Sequence, residues 1–298
     1  MFYNSIREKE RIINLAFVQK SCYDRNIQEG LWKKRMENIM EAYRSFAQVY
    51  DIFMDNIPYK EWCNYVIGIL KEYGITEGLI VELGCGTGNI TEYLAKEGYD
   101  MIGIDNSMDM LEVATWKREK SGLDILYLLQ DMREFELYGT VQAAVSICDS
   151  INYILEYQDL VKVFSLVNNY LDPEGIFIFD CNTEYKYQEL LADNVIAENR
   201  EEGSFIWENF YDKEECINEY DLTLFIPEGK QYTKYVETHY QRCYTIEELK
   251  AAIKEAGMEL LHIYHAFTKE PLKEDSERVY IVAKECGKKK GEKEDDNR

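Results

Sequence analysis

The stretch Val81-Glu82-Leu83-Gly84-Cys85-Gly86-Thr87-Gly88-Asn89 constrains this chain more than any other. Three glycines at alternate positions follow a short apolar run, Leu79–Leu83, and precede a helical pattern over Asn89–Glu97. Glycines where a strand ends let the chain turn tightly and bring backbone close to a ligand. A helix starting there offers unpaired N–H groups and a positive dipole end to an anionic group. The spacing is Gly-x-Gly-x-Gly, with Asn at position 89, whereas dinucleotide-binding turns carry Gly-x-Gly-x-x-Gly. This difference weighs against a nicotinamide or flavin.

Around this turn the chain alternates apolar strands with amphipathic helices. Strands are expected at Leu79–Leu83, Met101–Ile104, Ile125–Leu129, Val141–Ile147 and Ile176–Asp180. Helices are expected at Asn89–Glu97, Met108–Lys120 and Gln158–Leu171. Continuous apolar strands between helices indicate a parallel sheet covered on both faces, hence an α/β, doubly wound, Rossmann-like architecture. Upstream, Tyr43, Phe46, Ala47, Tyr50 and Phe53 recur at helical spacing, and Pro58 suits the first turn of a helix running to Gly74. Residues 182–245 break the rhythm. Ser204–Tyr211, Cys216–Ile226 and Gln231–Tyr244 alternate in strand fashion, with a turn at Pro227-Glu228-Gly229-Lys230, so an antiparallel insertion follows the fifth strand. Thr245–Ala256 reads as a helix with a Thr245/Glu248 capping box, and Leu260–Phe267 and Arg278–Ala283 bring the main sheet to seven strands. The expected organisation is an N-terminal helical extension (1–40), a main domain (41–181 and 246–286), the insertion as a substrate lid (182–245) and a charged tail (287–298).

Glu82-Leu83-Gly84-Cys85-Gly86-Thr87-Gly88 resembles the cofactor motif of class I S-adenosylmethionine-dependent methyltransferases. Ile102-Gly103-Ile104-Asp105-Asn106-Ser107, followed by Met110, resembles their second element, and Gln130-Asp131-Met132 the third. The resemblance covers roughly Tyr43 to Lys284 and is nearest to small bacterial enzymes similar to glycine and amino-sugar N-methyltransferases. It implies S-adenosylmethionine as cofactor, with S-adenosylhomocysteine as product. It assigns cofactor contacts to Glu82, Gly84, Cys85, Gly86, Gly88, Asp105, Asn106, Met110, Asp131, Met132 and Cys148. Asp105 would meet the ribose hydroxyls, Asp131 the adenine amino group, and the Met132 N–H a ring nitrogen. By the same likeness Tyr50, in Tyr50-Asp51, belongs to a helix that folds over the cofactor. Ile147-Cys148-Asp149-Ser150-Ile151-Asn152 falls where the family places residues beside the reactive methyl, so Asp149 and Asn152 are candidate acceptor contacts.

Methyl transfer from a sulfonium is an in-line displacement, and alignment alone can supply about 7–11 kcal/mol of barrier lowering. It needs no covalent nucleophile and no metal, and none is expected here. An amine acceptor must arrive neutral or lose a proton, which leaves a role for a base; His239 at the end of the insertion is the leading catalytic candidate. Arg242 could hold an acceptor carboxylate by paired hydrogen bonds. His262 and His265 are read as structural. Residues 182–245 hold 8 of the 24 tyrosines, with 14 acidic against 6 basic residues, a surface suited to a small cationic or amine-bearing ligand.

The charge balance bears on partners. The chain has 34 Lys and Arg against 56 Asp and Glu, net −22, although its first 40 residues are net +3. Such a field argues against non-specific nucleic-acid or membrane-surface binding. The fourth-strand sequence also lacks the Asn/Asp-Pro-Pro-Tyr/Phe motif of enzymes that methylate base amino groups. Eight scattered cysteines without a Cys-x-x-Cys suit a reduced cytoplasm. The expected protein is a cytoplasmic monomer or homodimer that methylates a small-molecule acceptor, an amine first. O-methylation of a metabolite, RNA methylation and a non-catalytic cofactor-binding regulatory module remain open.

Overall fold

The computed structural model describes residues 51, 53–54, 57–192 and 194–288. The expected helices before Glu41, Tyr50 and the tail beyond Lys288 lie outside the described residues. Lys288, assigned from sequence to the tail, is docked: its ammonium donates to the carbonyls of Asn169 at 3.0 Å and Leu171 at 2.6 Å. A cation satisfying carbonyls at a helix end is favoured by the dipole.

Among the described residues the first full helix, α1, spans Tyr59–Glu72 and buries Trp62, Cys63, Val66, Ile67, Ile69 and Leu70, a stripe along one side. Then β1 (Gly78–Leu83), α2 (Asn89–Lys96), β2 (Tyr99–Asp105), α3 (Met108–Ser121), β3 (Ile125–Leu129) and β4 (Val141–Ser146) follow in alternation. After a 3₁₀ turn at Ser150–Tyr153 come α4 (Tyr157–Tyr170) and β5 (Leu171–Asn182). A π-helical turn at Lys186–Leu191 leads into β6 (Val195–Asn199), β7 (Ser204–Asp212), β8 (Ile217–Glu228) and β9 (Gln231–Arg242). The chain returns through α5 (Ile246–Glu255), β10 (Met258–His265) and β11 (Arg278–Glu285).

The main sheet has the order β10-β11-β5-β4-β1-β2-β3. All neighbours from β3 to β5 are parallel, and β11 is antiparallel to both β5 and β10. The strand order reverses beside β1, so the ends of β1, β2 and β4 face one crevice, the usual ligand position in an open α/β sheet. Two apolar layers cover the sheet. One packs α1 against Ile80, Val145, Ile178 and Tyr280. The other packs α4 and α5 around Phe164, Phe177 and Phe179, whose centroids lie 4.8–5.5 Å apart. Fully burying each such side chain stabilises by roughly 1.5–3 kcal/mol.

Three features differ from the sequence expectation. β5 begins at Leu171, five residues before the expected Ile176. Its early part carries Pro173 and Glu174, the latter at φ 65°, beside a register shift at Val141/Ala143, so apolar patterning does not reveal it. The insertion is a four-stranded sheet, β6-β7-β8-β9, in which the largely exposed β6 has no apolar alternation to announce it. Pro227 belongs to β8 opposite Tyr232, beyond the end of β7, where its missing N–H costs no ladder bond. The capping box on α5 forms as patterned: Thr245 Oγ1 accepts from the Glu248 N–H at 3.2 Å, and Glu248 Oε2 from the Thr245 N–H at 2.8 Å.

Candidate active site

The glycine loop is anchored to β2. The N–H groups of Gly84 and Cys85 both donate to Ile104 O, at 2.8 and 3.0 Å. Gly84 has φ +72°, and a Cβ there would come within 2.5 Å of Ser150 Oγ. Gly86 also has a left-handed φ, +53°, but a Cβ there would meet nothing within 4 Å. One glycine is therefore required by packing from within, while the other borders open space.

Asp105, at the end of β2, accepts from the Gly86 N–H at 2.8 Å through Oδ2 and from the Ser107 N–H at 2.8 Å through Oδ1. Burial raises its pKa against those bonds. Each oxygen keeps acceptor capacity, and the residue is only half-buried. Open space at Gly86 beside a carboxylate able to accept hydrogen bonds from hydroxyls is compatible in chemistry with S-adenosylmethionine. Asn106 is exposed next to Asp105, and Met110 is half-buried in the first turn of α3. Met132 places its Cε 3.4 Å from the Cβ position of Gly84, which brings the β3 end to the loop.

Other expected cofactor contacts point elsewhere. Glu82 is 2% exposed, and its carboxyl accepts from the Thr91 hydroxyl beneath the loop. Burial pushes its pKa up to about 8, against that hydrogen bond. Cys85 buries its thiol under the loop, so it can offer a ligand backbone only. Gly88 is the left-handed N-cap of α2 and packs against Tyr127. The Asp131 carboxylate takes the Arg133 guanidinium, with Nη2 at 2.6 Å from Oδ2, so its side chain already has a cation.

At the end of β4 two successive non-glycine residues are left-handed, Cys148 at φ 68° and Asp149 at φ 55°. Such conformations cost on the order of 1–3 kcal/mol each and persist only where their surroundings hold them. Asp180, fully buried on β5, does so by accepting the Cys148 N–H at 3.2 Å and the Asp149 N–H at 2.7 Å. Arg278 of β11 bridges both acids, with Nη2 2.6 Å from Asp149 Oδ1 and Nη1 2.9 Å from Asp180 Oδ2. Burial alone would raise the Asp149 pKa, but Arg278 and then Lys186 bring it below the usual carboxylate range. Burial dominates at Asp180 and raises it. The outcome is an ionised Asp149 at the crevice. Arg278, Asp180, Lys186 and Gln241, whose Nε2 donates to Asp149 Oδ2, escaped the sequence reading; a lone Arg opening the apolar Arg278–Ala283 strand was the available signal.

The insertion sheet turns one face toward these strand ends. His239 stacks on Tyr220 with centroids 4.7 Å apart, and its Nε2 lies 3.1 Å from Glu237 Oε2. Tyr153, on the 3₁₀ turn after β4, presents its edge to His239 at 5.8 Å and pairs hydroxyls with Tyr220. Trp207 packs edge-on to Tyr220 at 5.6 Å. Asn152 and Arg242 have other partners. The fully buried Asn152 amide donates to Arg242 O at 2.8 Å and accepts from the Asn182 N–H at 3.0 Å. The Arg242 guanidinium donates to Leu155 O at 3.0 Å and Glu248 Oε1 at 3.1 Å. Both residues tie the insertion to the main domain.

A strand-order reversal crowned by a glycine loop, an acidic β2 terminus and an antiparallel seventh strand define the Rossmann-like class I methyltransferase architecture. A family model described as a methyltransferase domain matches residues 80–175. Two bacterial relatives carry the description "Putative methyltransferase". YqeM of Bacillus subtilis (strain 168) is 36% identical over 242 residues, covering 81% of this chain and 96% of its own length. GWCH70_2453 of Geobacillus sp. (strain WCH70) is 37% identical over 247 residues, covering 82% and 99%. A solved S-adenosylmethionine-dependent methyltransferase from Clostridium acetobutylicum ATCC 824 superposes with a TM-score of 0.76 at 28% identity, covering 83% of this chain and 100% of that one. The chain belongs to the S-adenosylmethionine-dependent methyltransferase family, and S-adenosylmethionine is its cofactor. No helix among the described residues is long and apolar enough to cross a membrane.

Proposed function

We propose that this enzyme methylates an amine on a small-molecule acceptor held between the β4 end and the insertion sheet. The observation that carries the reading is the wall of Tyr220, His239 and Glu237 standing against Tyr153, itself four residues from the ionised Asp149. Aromatic faces and carboxylates attract an ammonium group. His239, with Glu237 at its ring nitrogen, then accepts the proton that the amine must lose before its lone pair can attack. Bound S-adenosylmethionine supplies the electrophilic methyl. On this reading Gly84, Gly86, Asp105, Asn106, Met110 and Met132 line the cofactor site, and Asp149 faces the acceptor. Asn152 is fully buried and Arg242 is paired with Glu248 of α5, so both serve the framework.

The test is labelled methyl transfer to a pool of small metabolites, followed by fractionation of the product. The expected result is label on an amine, with His239→Ala lowering kcat by about 10²–10⁴-fold while leaving S-adenosylhomocysteine affinity unchanged. Label on a hydroxyl or carboxylate, or on RNA alone, overturns the amine assignment. Tight cofactor binding with no acceptor methylated would favour the regulatory module.

A further inference from the structure

Asp51 and Phe53 have helical backbone, and residues two apart on a helix point about 200° from one another. Each fills a different part of the site. Asp51 Oδ1 accepts from the Thr87 hydroxyl at 2.6 Å and from Asn89 Nδ2 at 3.1 Å. Asp51 Oδ2 lies 2.8 Å from Lys117 Nζ, and that ammonium also donates to Asn89 Oδ1 at 2.5 Å. One carboxylate thus gathers the glycine loop, the first residue of α2 and the side of α3. On the opposite side Phe53, 7% exposed, packs with Leu224 and Ile226 of β8 and with Tyr235 of β9. Its ring stands edge-on to Phe205 of β7, with centroids 5.0 Å apart. The Arg200 guanidinium lies 5.5 Å over the same ring.

We propose that this turn is a strut coupling occupancy of the cofactor loop to the placement of the insertion sheet, with Asp51 and Lys117 as positioning residues for methyl transfer. The inference rests on the proposed function in one respect, that the insertion sheet holds the acceptor. Ordering the glycine loop around S-adenosylmethionine orders Thr87 and Asn89, the Asp51 partners, and so fixes Phe53 in its socket. The sheet bearing Tyr220 and His239 is then held more firmly over the methyl group when the cofactor is in place. Coupling of binding free energies is reciprocal, so an acceptor that settles the sheet tightens the cofactor by the same factor.

The experiment uses the full-length protein and S-adenosylhomocysteine as probe. Calorimetry gives its affinity, and hydrogen exchange reads β8 and β9 with and without it. In the wild type the probe slows exchange at Leu224–Ile226 and around Tyr235, which lie on the far side of the strut from the glycine loop. Asp51→Asn and Lys117→Met weaken the probe about tenfold and abolish the remote slowing, while Lys117→Arg, which keeps the charge, retains it. Lys117→Met leaves Phe53 and its socket unaltered, so it answers the question even where Asp51→Asn folds poorly. Remote slowing that persists in both variants, or is absent from a wild type that binds the probe, overturns the strut alone. A wild type that does not bind the probe overturns the methyltransferase reading and the strut with it.

Discussion

Gln241 Nε2 donates to Asp149 Oδ2 at 2.7 Å, so the end of β9, the last strand of the insertion, is fastened to the left-handed residues after β4. The same amide accepts the Tyr187 hydroxyl at 3.1 Å through its oxygen and is 3% exposed. Both ends of a buried side chain are therefore committed, one to the site and one to the π-helical turn at the insertion's root.

Gln241→Leu should leave Asp149 and Tyr187 short of a partner and cost about 1–3 kcal/mol of stability. Because Asp149 faces the acceptor in our reading, the acceptor KM should rise while S-adenosylhomocysteine affinity stays within about twofold, a change of less than 0.5 kcal/mol. Urea unfolding and calorimetry measure the two quantities. An unchanged acceptor KM would remove Asp149 from the acceptor site.

Gly86→Ala separates ligand contact from folding. The added Cβ meets nothing within 4 Å, so the penalty comes from the left-handed φ alone, on the order of 1–2 kcal/mol. The melting temperature should fall by a few degrees, and S-adenosylhomocysteine binding should fall much further than stability does. Gly84→Ala, which drives a Cβ against Ser150, should damage both together.

Glu82 makes a pH prediction. Its folded pKa of about 8 lies above the unfolded value near 4.3, so the native state holds the extra proton between them. Its contribution to stability is fully present below the unfolded pKa and is lost as pH rises through 8. Glu82→Gln removes this loss. The variant should gain melting temperature relative to wild type steadily from pH 5 to pH 8 and then level off. A difference independent of pH would mean that Glu82 is ionised throughout.

Arg278→Met strands two carboxylates. Removing one member of a buried ion group costs about 3–5 kcal/mol. Asp149 has a lowered folded pKa, so its stabilising share is present above an unfolded value near 3.9 and is lost as pH falls through the folded one. The destabilisation in Arg278→Met should therefore be largest at neutral pH and shrink toward pH 4 as the stranded acids take up protons. Denaturant titrations at pH 7 and pH 4.5 supply the comparison.

The sequence by itself determined the β/α alternation from Gly78 to Asn182, the turn at Gly84–Gly88, the acid at Asp105 and the presence of an antiparallel insertion. These are local quantities: apolar periodicity, capping chemistry and glycine placement all act within a few residues. Only the tertiary structure decided the rest. The reversed β11 carries Arg278 to Asp149, 129 residues away in sequence, and the β8–β9 register sets His239 on Tyr220 and Gln241 on Asp149. It also gave Arg242, Asn152 and Asp131 partners within the fold, and joined Asp51 to Lys117. Charged side chains take whichever partner packing brings within reach, and no local pattern encodes that reach, so the glycine loop was legible in the sequence while the Asp149–Arg278–Asp180 cluster at the β4 end was not.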